Sequence, residues 1–301
     1  MASVIPELAE SKPISIKEKI AGYFELTKPR IAFMLVLTSA AGFYMAGHDG
    51  FDTVLFVNSM IAITLLAFGV ATLNQYIERD IDPLMDRTAK RPIPAGVVSP
   101  TEALIFGIIQ CIGAEVYLYF AVNGLTTVLG LIVIVGYVLV YTPLKTRTSA
   151  STAIGAIPGA LPPLMGWTAA ADNISLTAWS LFVIQFLWQF PHFLAIAWMY
   201  REQYKKAGIL MLPVVEPSGR ITMRQIVQFT IMLLPVSVAP YIFGATGMTF
   251  FVGAIILGVL FLAASIYAAS TKTDAAARKL LLVSVIYLPI FFLLMVLDKV
   301  Q

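Results

Sequence analysis

The chain has 301 residues, of which 59% are hydrophobic and only 12% charged. Soluble domains carry about 25% charged residues, so this composition, with a mean hydropathy of +0.85, argues against a soluble enzyme and excludes a disordered chain. Lys and Arg number 20 against 17 Asp and Glu, a net charge of +3, and the single cysteine, Cys111, excludes a disulfide framework and a cysteine-built metal site.

Residues 1–30 form a polar arm containing Glu7, Glu10, Glu18 and Glu25. Its acidity is unlike a mitochondrial transit peptide, and its polar length is unlike a cleaved signal peptide. Nine apolar runs follow, near 31–48, 54–77, 102–122, 125–143, 151–170, 177–200, 226–244, 249–270 and 280–297. A helix crossing about 30 Å of hydrocarbon needs roughly 20 apolar residues, whereas a barrel strand needs about 10 of alternating polarity. These runs have the helical length and are apolar on all sides. They predict an all-α, polytopic membrane protein: one bundle of nine transmembrane helices over 31–297, with a short outer tail at 298–301.

The basic residues predict its orientation. Of the 20, 19 lie in the arm or in the segments after the even-numbered runs, and only Lys299 lies opposite. The positive-inside rule then puts the N-terminus in the cytoplasm. The two long loops, after the second and sixth runs, are on that same side. A bacterial plasma membrane is the expected location, and no nucleic-acid partner is expected.

Several local signals are specific. Ser99-Pro100-Thr101-Glu102 reads as a capping box opening the third run. Run 151–170 holds Pro158, Pro162 and Pro163 with Gly155, Gly159 and Gly166, and is expected to kink or pack closely. Glu115, inside the third run, has no evident partner and reads as a buried, protonated carboxyl. His48 reads as a solvated loop residue. Asn173-Ile174-Ser175 reads as a chance match to the glycosylation pattern.

Residues 74–96 read NQYIERDIDPLMDRTAKRPIPAG. Asn74, Glu78 and Asp82 recur at i, i+4 and i+8, which a continuous helix ending at Pro83 would stack on one face. Asp80 and Asp86 add carboxylates, and Arg87, Lys90 and Arg91 follow at once. Hard oxygen donors suit Mg²⁺, which is completed by substrate phosphates. Arginine suits bidentate contact with phosphate. Together they point to Mg²⁺–diphosphate binding; the alternative is a solvated loop whose charges pair with each other.

In the sixth run, Gln185, Gln189 and His192 form a second polar stripe, with Pro191 expected to kink the helix. It is expected to face the same inner cavity as the carboxylates; the alternative is a core histidine bonded to a neighbour. Tyr141 and Lys145 close the fourth run. They read either as a diphosphate contact with an aromatic wall or as a membrane anchor.

These residues resemble the UbiA superfamily of intramembrane prenyltransferases, whose first Asp-rich motif is similar to 74–96. Within it, Leu26-Thr27-Lys28-Pro29-Arg30, Met85-Asp86-Arg87-Thr88, Arg91-Pro92, Tyr141-Thr142-Pro143-Leu144-Lys145 and Trp188-Gln189-Phe190-Pro191-His192-Phe193 resemble the protohaem IX farnesyltransferase, or haem O synthase, family. The similarity continues through Ala207-Gly208 and Met211-Leu212-Pro213-Val214-Val215, covering roughly 25–297.

The resemblance implies transfer of a farnesyl group from farnesyl diphosphate to a vinyl group of haem B, forming haem O and releasing diphosphate; the alternatives are an aromatic, quinone-pathway polyprenyltransferase of the same fold and a secondary transporter. It implies Mg²⁺ on Asn74, Glu78 and Asp82, with Arg87, Arg91 and Lys145 on the diphosphate. It also implies a haem side built on His192, Gln189, Trp188 and Tyr141, and association with a downstream haem-modifying enzyme. Charge alone suggests Lys28 or Arg30 for the haem propionates. Glu78 fills a position more often Asp in the family, a mild change, and Gln203 stands where most members have Asp, which puts a second Mg²⁺ site in doubt unless Glu202 substitutes.

Overall fold

The computed structural model describes residues 14–47 and 50–300. His48, and the part of the arm with Glu7, Glu10 and Lys12, lie outside the described residues. In chain order the helices are α1 (Ile16–Leu26), α2 (Pro29–Ala46), α3 (Thr53–Glu78), α4 (Pro100–Ala121), α5 (Gly124–Leu144), α6 (Ser151–Gly159), α7 (Leu161–Ala171) and α8 (Leu176–Met199). The short α9 (Arg201–Lys206) and α10 (Leu212–Val215) precede α11 (Arg220–Ile242), α12 (Met248–Thr271) and α13 (Asp274–Leu297). Among the described residues, 8 helices are long and apolar enough to cross a membrane: α2 to α5, α8 and α11 to α13.

The expected fifth helix is two helices, α6 and α7, parted at Ala160. Proline has no N–H to donate, and Pro162 with Pro163 removes two successive donors from the ladder. Two other starts fall earlier than predicted, at Arg220 and Asp274. Their first turns carry charges that interrupt the apolar run but that the membrane boundary tolerates. By contrast, the capping box at Ser99 and Glu102 forms as read, and α8 runs through Pro191 without interruption.

Helix α3 pairs with α4, and α2 with α7. Helix α8, the most buried of the long helices, packs against α11 and α13, and α13 returns to α2. Large aromatic side chains fill the α12–α13 seam, with Phe250, Phe261, Tyr287 and Phe291 almost wholly enclosed. Where α2 meets α7 the backbones touch. A Cβ on Gly166 would fall on the Ser39 carbonyl, and one on Gly42 on that of Pro163. Small residues allow such approach between membrane helices. Gly166→Ala is therefore expected to destabilise the bundle by about 1–3 kcal/mol, read as a lower Tm in detergent; an unchanged Tm would mean that α7 can move away from α2.

At the end of the bundle opposite the loops, Lys299 donates to the Tyr44 carbonyl at 2.8 Å and to that of Gly47. These are the free carbonyls at the end of α2, which a basic side chain suits. The one basic residue outside the main asymmetry thus has a capping role. Asn123 caps α5 through the Thr126 N–H and also donates to the Thr168 carbonyl, tying α5 to α7. Asn173 Oδ1 accepts from the Trp167 indole at 3.4 Å, which occupies the asparagine of the apparent glycosylation pattern. Both carboxyl oxygens of Glu115 are buried without a hydrogen-bond partner among the described residues, beside the space left by Gly130.

Candidate active site

Helix α3 ends at Glu78, four residues before the expected stop. In a continued helix Pro83 would lack the N–H for the Arg79 carbonyl and its ring would clash there, and Asp82 instead opens a separate 3₁₀ turn, Asp82–Leu84. The three oxygen donors therefore do not ride on one helix. Tertiary contacts gather them instead. Lys145, just beyond α5, meets Glu78 Oε1 at 2.5 Å. Arg91 Nη1 lies 2.7 and 2.8 Å from the two Asp82 oxygens and 3.4 Å from Glu78 Oε2. Asp82 is wholly enclosed. Burial pushes its carboxyl above the ordinary value, against the pull of Arg91. Burial also opposes the charge on Lys145, but Glu78 and the phenols of Tyr141 and Tyr137 outweigh it and raise the lysine above its usual value.

Lys28 joins this group, a position that charge alone had assigned to the haem propionates. It adopts left-handed backbone at φ 48° directly before Pro29. Such conformations are costly for a residue with a Cβ and gather at functional sites. The turn sends the ammonium inward, 2.7 Å from Asn74 Oδ1. Burial, together with Arg91, lowers its pKa to about 7. Arg30 is exposed at the start of α2.

Thr142 decides which way Asn74 points. Its hydroxyl donates to the Tyr137 carbonyl at 2.8 Å, so only its lone pair faces Asn74, whose Nδ2 donates to it at 3.2 Å. The amide oxygen must then face Lys28. The Tyr137 bond spans five residues within a π-helical stretch, Ile134–Tyr141, a form that recurs at functional sites. The same stretch brings the Tyr141 ring under Lys145, 4.5 Å from the ammonium, and Gly155 leaves the room that ring occupies.

The rest of the charged loop stands outside this cluster. Asp80 is exposed beside Arg79 at 3.7 Å. Asp86 accepts from Gln203 Nε2 at 3.3 Å, so Gln203 acts there as an amide donor. Arg87 donates to the Tyr204 hydroxyl at 2.6 Å and lies over the Tyr200 and Tyr204 rings, 4.9 Å from each.

The polar stripe of α8 divides among its neighbours. Gln189 donates to the Ala156 carbonyl of α6 at 3.1 Å and fills the space at Gly159. Gln185 Oε1 is buried without a partner among the described residues. His192 turns to α13, where Nδ1 lies 2.8 Å from Ser284 Oγ. Ser284 gives its proton to the Leu281 carbonyl at 2.7 Å, so it accepts from His192. The imidazole then carries its proton on Nδ1 and keeps a lone pair on Nε2. Trp188 stacks on the imidazole at 4.6 Å and donates to the Ser284 carbonyl at 2.9 Å. The stripe is thus not one cavity-facing row: Gln189 braces α6, while Trp188 and Ser284 set the plane and tautomer of His192.

Residues 35–295 match the UbiA prenyltransferase family. The chain belongs to that family. The protoheme IX farnesyltransferase of Solibacter usitatus is 43% identical over 286 residues, covering 92% of this chain and 98% of that one. That of Koribacter versatilis is 40% identical over 309 residues, covering 99% of each. Solved UbiA-type folds agree at lower identity. A digeranylgeranylglyceryl phosphate synthase superposes with a TM-score of 0.78 at 19% identity, covering 93% of this chain and 98% of that one. A UbiA homolog from Archaeoglobus fulgidus, bound to DMAPP and Mg²⁺, gives 0.65 at 17%, covering 91% and 98%.

For this UbiA-family chain, the residues that sequence reasoning missed are those supplying second partners. Thr142 lay inside a quoted motif but carried no role. Ser284 gave no local signal, being 92 residues from His192.

Proposed function

We propose that the protein transfers a farnesyl group from farnesyl diphosphate to a vinyl group of haem B, forming haem O and releasing diphosphate. The observation that carries this reading is the charge pairing of the buried cluster. Glu78 and Asp82 pair with Arg91 and Lys145, and Lys28, whose pKa burial lowers to about 7, stands beside them on Asn74 without a carboxylate of its own among the described residues. An anion at this point would give Lys28 a partner and hold its charge, and diphosphate with a divalent cation meets that need.

Mg²⁺ fits the donors available. No group of three or more His, Cys, Asp and Glu able to hold a metal occurs among the described residues. Mg²⁺ does not require one, since it binds through one or two carboxylates and substrate phosphates and keeps its waters. Asn74, Glu78 and Asp82 would hold it. Bound there it supplies electrophilic stabilisation of the leaving diphosphate.

The protein's own groups do the rest. Arg91 and Lys145 exchange their carboxylate partners for phosphate oxygens, and Lys28 adds a third cation. These donors then act where negative charge develops as the allylic C1–O bond breaks. The electron pair leaves with diphosphate. The haem vinyl group donates its π electrons to C1, and water adds a hydroxyl to the resulting cation and loses a proton. The Tyr141 ring, beside Lys145, offers a π face to the allylic cation. His192, with Nε2 unprotonated, is a ligand for haem iron.

In the same reading the chain crosses the membrane nine times, with α6 and α7 together as the fifth pass, and its N-terminus lies on the cytoplasmic side of a bacterial plasma membrane. The support is the one-sided distribution of basic residues. Haem O is then passed to a downstream haem-modifying enzyme.

Two measurements test the chemistry. Release of diphosphate from farnesyl diphosphate is expected to require both haem B and Mg²⁺; equal release with a hydroxybenzoate acceptor contradicts the haem assignment. Thr142→Val frees the Asn74 amide to turn. It is expected to raise the half-saturating Mg²⁺ concentration roughly two- to tenfold, the worth of one hydrogen bond, with Thr142→Ser restoring it. An unchanged Mg²⁺ requirement would remove Asn74 from the donor set.

A further inference from the structure

Helix α1 divides its surface into three sectors. One packs on the protein. Gly22 lies against Val97 and Val98, Leu26 is fully enclosed, and Tyr23 meets Phe106 edge-on at 5.0 Å. Lys19, on the same flank, reaches Glu102 at 2.5 Å. A second sector, Lys17, Glu18, Ala21 and Glu25, is polar or small and exposed. The third is Ile16, Ile20 and Phe24, spaced i, i+4 and i+8 along one line. These three are 80%, 65% and 61% exposed. A soluble surface rarely leaves such a stripe open to water.

The contacts fix the level at which this stripe lies. Glu102 is in the first turn of α4, Phe106 is one turn further in, and Gln75 of α3 donates to the Leu26 carbonyl at 2.9 Å. Helix α1 therefore sits beside the ends of two membrane spans. Two residues after it, the chain enters a third span, α2, whose first turns expose Ile31 at 59% and Phe33 at 67%.

We infer that α1 is an interfacial helix seated in the bilayer surface, with Ile16, Ile20 and Phe24 at the boundary between headgroups and acyl chains. The occupant follows from continuity: the stripe lies at the height where the lipid-facing surface of α2 begins. The three sectors match what a helix lying in that plane needs, one side for protein, one for lipid and one for water. The seat also has a consequence for the site. Helix α1 ends at the strained Lys28 turn, so lipid contact on one side and Gln75 on the other hold the chain that aims the Lys28 ammonium at Asn74.

The test uses the full chain in phosphatidylcholine nanodiscs, with a bimane label on Ile20→Cys, Phe24→Cys, Ala21→Cys or Glu25→Cys in separate samples. Cys111 is buried, and the unsubstituted chain measures its background labelling. Labels at 20 and 24 are expected to be quenched severalfold more by doxyl lipid than by aqueous iodide, and labels at 21 and 25 the reverse. Iodide quenching of all four alike overturns the inference. So does a disulfide between copies of unlabelled Phe24→Cys together with a label at 20 that lipid does not quench, which would assign the stripe to a second copy. Lipid quenching that develops only after deletion of residues 1–13 would assign it to the chain's own start, and overturns it equally. None of these readouts depends on substrate.

Discussion

Asp82→Asn is expected to lower turnover by about a hundred- to a thousandfold, the scale reached when one group that stabilises developing charge is removed, while haem affinity stays near wild type. The substitution keeps the side-chain shape and removes one negative charge from a fully enclosed position. Arg91 then loses the partner it grips at both oxygens. Removing one member of a buried ion pair destabilises by about 3–5 kcal/mol, so a lower Tm is expected as well. Haem titration separates the two effects, because a misfolded variant would lose haem binding along with turnover. Wild-type turnover in a folded Asp82→Asn variant would exclude Asp82 from the diphosphate site.

His192→Ala is expected to do the reverse. Haem affinity, followed by the Soret band, should fall at least about tenfold, whereas binding of farnesyl diphosphate with Mg²⁺ should hold. The reason is the direction of the hydrogen bonds. Ser284 is committed to the Leu281 carbonyl, so it receives the Nδ1 proton and leaves Nε2 with its lone pair. A second partner of this kind commonly fixes the tautomer of a metal-binding histidine. Added imidazole should restore part of the Soret signal if the lost group is an iron ligand. Equal haem affinity in wild type and variant would remove that role and leave His192 as a packing residue against Trp188.

The membrane spans were legible because apolar runs of that length, so many in one chain, bury their surface only in a bilayer. The exceptions were the charged starts at Arg220 and Asp274, and the division at Ala160. What the sequence alone concealed was how the site residues meet. Counting in fours put Asn74, Glu78 and Asp82 on one helix, but the chain leaves the helix at Glu78 and Arg91 holds Asp82 from nine residues away. Charge alone offered Lys28 to the haem propionates. Its inward turn depends on left-handed backbone that no residue pattern announces. In α8 the helical spacing was right, yet Gln189 and His192 face different neighbours, α6 and α13, and only the packing order of those helices settles it.

The most direct measurement is the mass of the porphyrin recovered after purified protein is incubated with haem B, farnesyl diphosphate and Mg²⁺. The predicted product is haem B with one farnesyl and one hydroxyl group gained, and one diphosphate released for each product formed. Unchanged haem B, with the prenyl group found instead on a hydroxybenzoate or naphthoate acceptor supplied in parallel, would contradict the proposed reaction.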